Sequence, residues 1–392
     1  MLADRRKEAL KLDRLIEIIG DMVPDPRRPG GNLRHKLVEI LVIILLGVMS
    51  GAETWIDIED YGKQKETWLR TFLELPNGIT SNDTYRRLME RISIKRVETM
   101  YRAWVLPYVG GCIGKQIAVD GKTICGASNN RKAQEDEALG KIHMISAWIR
   151  EDGISLGQIK TEEKSNEITA IPQLLGDLDI KGSTVTIDAM GCQTDIAEKI
   201  VELEANYVLA LKGNQPDFYE AVTEYFKWAR GDEVEKKSLL TYTYQEGEHG
   251  RITRRTVEVT NEIDWLETNR EWKGLKSLIC IRRKTEKKGQ VSEEDAYYIS
   301  SVEWQSAEDA AKIVQGHWSI ENSLHWTMDV SFNEDNCQIY KGNAPQNFSV
   351  IRKIAEKLLR SEKSTKKSAR RKMRDFLADN DYAEKVLMLL KS

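Results

Sequence analysis

Three carboxylates in this chain, Asp120, Asp188 and Glu321, fall at positions suited to chemistry. Asp120 follows the apolar run 116–119 and Asp188 follows the run 184–187. Both runs read as short buried strands, so each aspartate stands where a strand emerges from an α/β sheet, the place where such folds bind ligands. Glu321 lies in QGHWSIENSLHWTMDVSFNED, residues 315–335. Helical spacing would put His317, Glu321 and His325 on one stripe, with Ile320, Leu324 and Met328 as an apolar flank. Taken alone, that stripe fits zinc binding, a hydrogen-bonded network in a tryptophan-rich core, or a glutamate offered to a magnesium ion held elsewhere. Each aspartate also has a plainer reading: Asp120 in VDGKT could make an Asp-Gly turn, and Asp188 in IDAMG could cap the next helix.

Considered together, three oxygen donors with no cysteine partner favour a hard cation, Mg2+ or Mn2+, over zinc. Two such ions about 3.5–4 Å apart could activate a water or a 3′-hydroxyl and stabilise the leaving oxygen of an in-line phosphoryl transfer. Lys122, Lys212 and Asn214 are spaced to approach phosphates if their loops lie beside the carboxylates. His317 and His325 are expected to orient Glu321, which Asn322 adjoins, while Trp318 and Trp326 read as core. No P-loop, dinucleotide fingerprint or hydrolase elbow is present.

The elements that must position these groups are legible in outline. Residues 1–25 read as a helix ending at Pro24-Asp25-Pro26, followed by a basic turn and an apolar helix over about 36–50. Further helices are expected over 54–61, over 66–73 and after an N-cap at Ser81, making an all-helical first domain, residues 1–108. Its cations Arg27, Arg28, Arg34, Arg86 and Arg87 are candidate DNA contacts. From Lys115 the pattern changes to an α/β core, with strands over 116–119, 143–149 and 154–160 as a meander, then 184–187 and 207–211, and helices over 166–178, 195–204 and 217–229 between and after them. Strands over 240–245, 251–260, 275–283 and 296–300 form either an insertion, about 231–302, or an extension of the main sheet. Ser306 can cap the helix that leads into Glu321.

With 392 residues the chain can bury a sizeable core, and 31% charged residues exclude a polytopic membrane protein. The apolar run 40–49 is too short to span a bilayer, which needs about 20 residues. The opening residues show no secretory pattern, so a cytoplasmic location is expected, and Cys112, Cys125, Cys192, Cys280 and Cys337 lack paired spacing and read as reduced thiols. A net charge of −3 excludes a globally basic DNA-coating protein. Locally, Arg352, Lys353, Lys357, Arg360, Lys363, Lys366, Lys367, Arg370, Arg371, Lys372 and Arg374 stand against Glu356 and Glu362 alone, a cluster suited to a polyanion or to a solvated helix face.

Several long blocks resemble the IS4-like DDE transposases, most closely the ISAs1 family that includes the H-repeat-associated proteins. They are DPRRPGGNLRHKL, SGAETWIDIEDYG, SNDTYRRL, IAVDGKTICGA, EEKSNEITAIPQLL, TIDAMGCQ, YVLALKGNQP, GHWSIENSLHWTMDVSFNED and GNAPQNFSVIRKIAEKLLR. The resemblance implies an RNase H-like catalytic core over 109–350 with a β-rich insertion, a helical DNA-binding domain before it and a basic helical tail, 351–392. It implies Asp120, Asp188 and Glu321 as the metal-binding triad, with two Mg2+ or Mn2+ ions. The implied partners are double-stranded DNA, as terminal inverted repeats and as target, and a second copy of the chain in the DNA complex. Lys363, Lys366, Lys367, Arg370, Arg371, Lys372 and Arg374 are expected on DNA. The chain departs from the pattern at Gln315 and Tyr340, where similar proteins carry basic residues, and at His317 and Met328, which occupy the arginine and lysine positions of the wider signature. A nuclease of the same fold that does not join strands, and a catalytically silent DNA-binding derivative, are the alternatives.

Overall fold

The apolar run near the N-terminus forms a helix buried on nearly every side, α2 (Leu37–Met49), preceded by α1 (Leu12–Met22). The computed structural model describes residues 11–28, 30, 33–124, 142–161, 167–248, 251–266, 271–287 and 290–387; Cys125, the opening of the first expected helix and residues 162–166 of the EEKSN block lie outside them. Where two helices are expected over 54–73 there is one, α3 (Trp55–Leu69), opened by a capping box between Thr54 and Asp57. Gly62 does not interrupt it: a Cβ there would lie 2.8 Å from Ile79 Cγ2, so the glycine serves close packing. Next come α4 (Asn82–Arg91) and α5 (Ile94–Val109), which ends on Gly110 at φ 66°.

A nine-stranded sheet follows, in the order β3-β2-β1-β4-β5-β9-β8-β7-β6. β1 (Gln116–Ile124), β2 (Ile142–Ile149) and β3 (Ile154–Thr161) form the antiparallel meander. β4 (Thr184–Ile187) and β5 (Asn206–Leu211) add in parallel on the other side of β1. The later strands, β6 (Leu240–Glu248), β7 (Arg251–Thr260), β8 (Ser277–Lys287) and β9 (Gln290–Ser300), continue the same sheet, because β9 pairs antiparallel with β5 through Leu209↔Ile299. β1 does not stop at Asp120 as expected. Its parallel pairing to β4 ends at Val119↔Ile187, but β2 carries it on to Ile124.

Helices α6 (Glu167–Gly176), α7 (Thr194–Glu202) and α8 (Pro216–Gly231) connect the parallel strands and lead into the later ones. After β9 come α9 (Ala307–His317), a π-helical segment (Ile320–His325), α10 (Trp326–Phe332), α11 (Ala344–Ser361), α12 (Ala369–Ala378) and α13 (Asn380–Leu387). One apolar core runs from Leu12 through the sheet to Leu387. α11 is buried along nearly its whole length against α2, α4 and α5. Arg352, Lys353 and Lys357 are therefore interior residues and not part of a solvated basic tail.

Among the described residues Cys112, Cys192, Cys280 and Cys337 are free thiols, all buried, and no helix is long and apolar enough to cross a membrane.

Candidate active site and nucleic-acid interface

The register of two strands places two of the carboxylates. Val119 on β1 pairs with Ile187 on β4, so Asp120 and Asp188, the next residues, leave adjacent parallel strands side by side. Neighbouring strands stand about 4.8 Å apart, which sets the spacing of the two backbones. Asp120 Oδ1 accepts the Gly121 N–H at 2.9 Å, and Asp188 Oδ1 accepts the Met190 N–H at 3.1 Å, capping a short 3-10 turn (Ala189–Gly191). Asp188 remains exposed.

Glu321 comes from the far end of the chain. α9 carries it to the sheet by unusually close approach: a Cβ on Gly316 would lie 2.0 Å from Gln116 Oε1 and 2.6 Å from Arg150 Nη1. In that gap Gln116 Nε2 donates to the Ile313 carbonyl at 2.7 Å and Arg150 Nη1 donates to that of Lys312 at 3.1 Å, fastening the helix to β1 and to the turn after β2. Gly316→Ala is expected to cost about 1–3 kcal/mol, because the buried Gln116 has nowhere to move. A urea midpoint unchanged from the native protein would show that the gap is slack.

The segment that carries His317, Glu321 and His325 is not a regular α-helix throughout. Residues 320–325 are π-helical, and the Trp326 N–H reaches back five residues to the Glu321 carbonyl. His317 Nδ1 pairs with Thr186 Oγ1 at 3.0 Å, on β4. His325 Nδ1 stands 3.5 Å from Asp120 Oδ2, and its Nε2 is buried with no hydrogen-bond partner among the described residues. Burial, then the cations Lys122 and Lys353, push His325 down to about 3, so the ring is neutral. Glu321 and Asn322 are exposed. Ile320, Leu324 and Met328 are buried as expected, but Trp318 and Trp326 are 56% and 58% exposed, so neither belongs to the core.

Asp120 is pushed up to about 7, first by burial and then by the charges of Glu321, Asp188 and Glu167. These acids therefore share one field, although no three His, Cys, Asp or Glu among the described residues enclose an ion-sized point. The donor set fits a hard divalent cation: it is made of carboxylate oxygens, and the charge that raises Asp120 is the charge a cation would offset.

Lys122 is ion-paired within the fold. Its ammonium pairs with Asp329 and, at 3.1 Å, with Glu334, joining β1 to the segment after Glu321. Burial works to raise Glu334, but Lys122, Arg352 and Lys353 outweigh it and hold the carboxyl at about 2. Lys353 is itself buried, donating to Ser146 Oγ at 3.1 Å and to Gln158 Oε1. Asn214 Nδ2 donates to the Ala189 carbonyl at 2.7 Å, which ties the loop after β5 to the turn behind Asp188; Lys212 in the same loop is exposed.

Known proteins resemble this chain over nearly its whole length. Residues 114–355 match the family described as "Transposase DDE domain", and residues 21–105 match "DDE_Tnp_1-associated". The chain belongs to the transposase DDE domain family. It is 40% identical to "Putative transposase YncI" of Escherichia coli O157:H7 over 382 residues, 96% of this chain and 95% of that protein. It is also 40% identical to "H repeat-associated putative transposase YhhI" of Escherichia coli K12 over 384 residues, 96% of this chain and 98% of that one. The shorter "Inactive transposase YbfQ" of the same strain is 37% identical over 82 residues, 21% of this chain and 95% of that protein.

In this DDE family member the candidate DNA-binding cations fall into two groups. Arg27, Arg34, His35, Arg87 and Arg91 line one concavity of about 400 Å³ between the turn before α2 and helix α4. Arg27 is held by Asp25 at 2.6 Å, whereas Arg28, Arg34 and Arg91 are exposed and make no ion pair among the described residues. Arg86 is bridged to Asp83 and Glu90, each at 2.9 Å, while Arg87 lies 3.8 Å from Asp83. In the C-terminal segment Lys363, Lys366, Arg370, Arg371 and Arg374 are exposed, and Lys367 is exposed but paired with Asp375 at 2.6 Å. Lys372 is not available to DNA: it is buried, donating to the Leu359 carbonyl at 2.9 Å at the end of α11.

Sequence reasoning passes over Arg91, Glu167, His143 and Glu334. Arg91 follows Arg87 by four residues on one helix, a spacing that could flag it. The other three owe their place to long-range pairing, and no local signal marks them.

Proposed function

We propose that this chain is an insertion-sequence transposase that binds the ends of its element, cleaves there and joins the freed 3′-hydroxyl to target DNA. The observation that carries the reading is the Val119↔Ile187 register, which sets Asp120 beside Asp188 while the charge of Glu321 acts on Asp120. Support for an RNase H-like core comes from the three-strand meander extended in parallel by β4 and β5, with an acid following β4 and another following the segment of β1 that pairs with it. Residues 1–108 would bind DNA, 109–350 would hold the catalytic core with the added strands at about 231–302, and the exposed cations after residue 361 would extend the DNA surface.

Asp120 and Asp188 would hold Mg2+ or Mn2+, with Glu321 completing the set. When bound, two such ions supply activation of the attacking oxygen and stabilisation of the leaving one. In joining, the 3′-hydroxyl oxygen forms a bond to a target phosphorus and gives its proton to solvent, while the opposite P–O bond breaks and its leaving oxygen takes a proton from solvent. His325, neutral and 3.5 Å from Asp120, helps position that carboxylate. Two element ends must be brought together, which calls for a homodimer in the DNA complex, working in the cytoplasm where the DNA is.

The test supplies labelled element-end DNA and target DNA together with magnesium. Joined product is expected; cleavage without joining would make the chain a nuclease, and end binding without cleavage would favour the silent DNA-binding reading.

Replacing Arg34, Arg87 and Arg91 by glutamine should weaken duplex binding and flatten its salt dependence by about 0.9 in log–log slope for each phosphate no longer neutralised. Binding measured over a salt series decides this, and an unchanged slope removes the concavity from the interface.

A further inference from the structure

A buried acid–base pair sits directly behind Asp120. His143 on β2 and Glu167 at the start of α6 are 3% and 5% exposed, and His143 Nε2 meets Glu167 Oε1 at 2.5 Å. The other ring nitrogen, Nδ1, pairs with Thr123 Oγ1 on β1 at 2.9 Å. The pair rests against the residue next to Asp120: a Cβ on Gly121 would lie 2.5 Å from His143 Nε2 and 2.6 Å from Glu167 Oε1. Gly121 thus leaves room for the pair, while its N–H is taken by Asp120 Oδ1. The Gly121 N–H is bonded by the Asp120 carboxylate, and Glu167 and His143 pack closely over Gly121.

A hydrogen-bonded pair can stabilise a core anywhere. This one is packed against the residue next to Asp120, so the Glu167 carboxylate adds negative charge beside a strand end that already carries Asp120 and, from the neighbouring strand, Asp188. Burying a further carboxylate in that field is unfavourable for the protein by itself and favourable once a cation shares the field. We propose that Glu167, held by His143, is a fourth carboxylate of this site, a positioning residue that fixes Asp120 through Gly121 and strengthens the hold on a divalent cation. This rests on the metal-dependent reading given above.

The test measures Mn2+ binding to the full chain without DNA, from the loss of the free-ion magnetic resonance signal, alongside urea unfolding. Glu167→Gln keeps the shape and the bond to His143 but removes the charge; it should bind Mn2+ about 10–100-fold more weakly, the range for groups that orient metal ligands. Its urea midpoint should be no lower than the native one. Glu167→Asp, which keeps the charge, should recover part of the affinity. Native Mn2+ affinity in Glu167→Gln, with a lowered urea midpoint, would make the pair purely structural and overturn the proposal. Asp120→Ala separates the two levels. If it loses Mn2+ while Glu167→Gln does not, only the role of Glu167 falls; if it too binds like the native chain, or the native chain binds none, the metal site itself falls and this proposal with it.

Discussion

Asp188→Ala and Asp120→Ala should each lower magnesium-dependent cleavage of element-end DNA by about 10³-fold or more, while leaving end binding within a few-fold of native. The magnitude follows from removing a group that stabilises charge in the transition state, where one missing donor already costs about 10²–10³-fold. Binding should persist because the candidate DNA-binding cations lie on separate elements, around α4 and after α11. Asp188 is the cleaner test. It is exposed and makes one capping bond to Met190, so its loss disturbs little of the fold. Gel-shift and cleavage assays on the same labelled end check both parts, and cleavage surviving in Asp188→Ala would remove it from the site.

The second large effect is on stability. Lys353→Ala should destabilise the protein by about 3–5 kcal/mol, the cost of removing one partner from a buried charge network. Burial pushes Lys353 down to about 8 against the pull of Glu98 and Glu334, and pushes Glu98 up to about 7 against Lys353 and Arg102. Without Lys353, Glu334 keeps Lys122 and Arg352 and Gln158 Oε1 keeps the Ser349 hydroxyl at 3.1 Å, but Ser146 Oγ loses the ammonium that donates to it and Glu98 loses a nearby cation. Domains are typically stable by about 5–15 kcal/mol, so this loss is a large share of the total. Urea unfolding measures it, and Lys353→Met should lose less because it fills the space. A change below about 0.5 kcal/mol would place the network outside the fold's energetics.

Asp120 and Asp188 stand out in the sequence because Ile/Val-rich runs end at them, a local pattern, and the structure brings them side by side. The register that does so pairs Val119 with Ile187, far apart in the chain, and no local rule encodes it. Trp318 and Trp326 read as core from their apolar type alone, but on a helix they fall away from the Ile320, Leu324 and Met328 flank, and they are exposed. Lys122, Lys353 and Lys372 read as solvated or phosphate-binding lysines, since composition cannot tell a paired interior cation from an exposed one. Gly62 lies where a break between two helices is expected and serves packing instead, whereas nothing in the local pattern marks Gly316, although α9 could not approach β1 without it.

The central claim is that Asp120, Asp188 and Glu321 act as one metal-dependent site. It is tested most directly by incubating the native protein and Glu321→Ala with a labelled element end and target DNA, with and without magnesium. Magnesium-dependent cleaved and joined product is expected from the native protein and none from Glu321→Ala, with equal end binding by both. Equal product from the two proteins would contradict it.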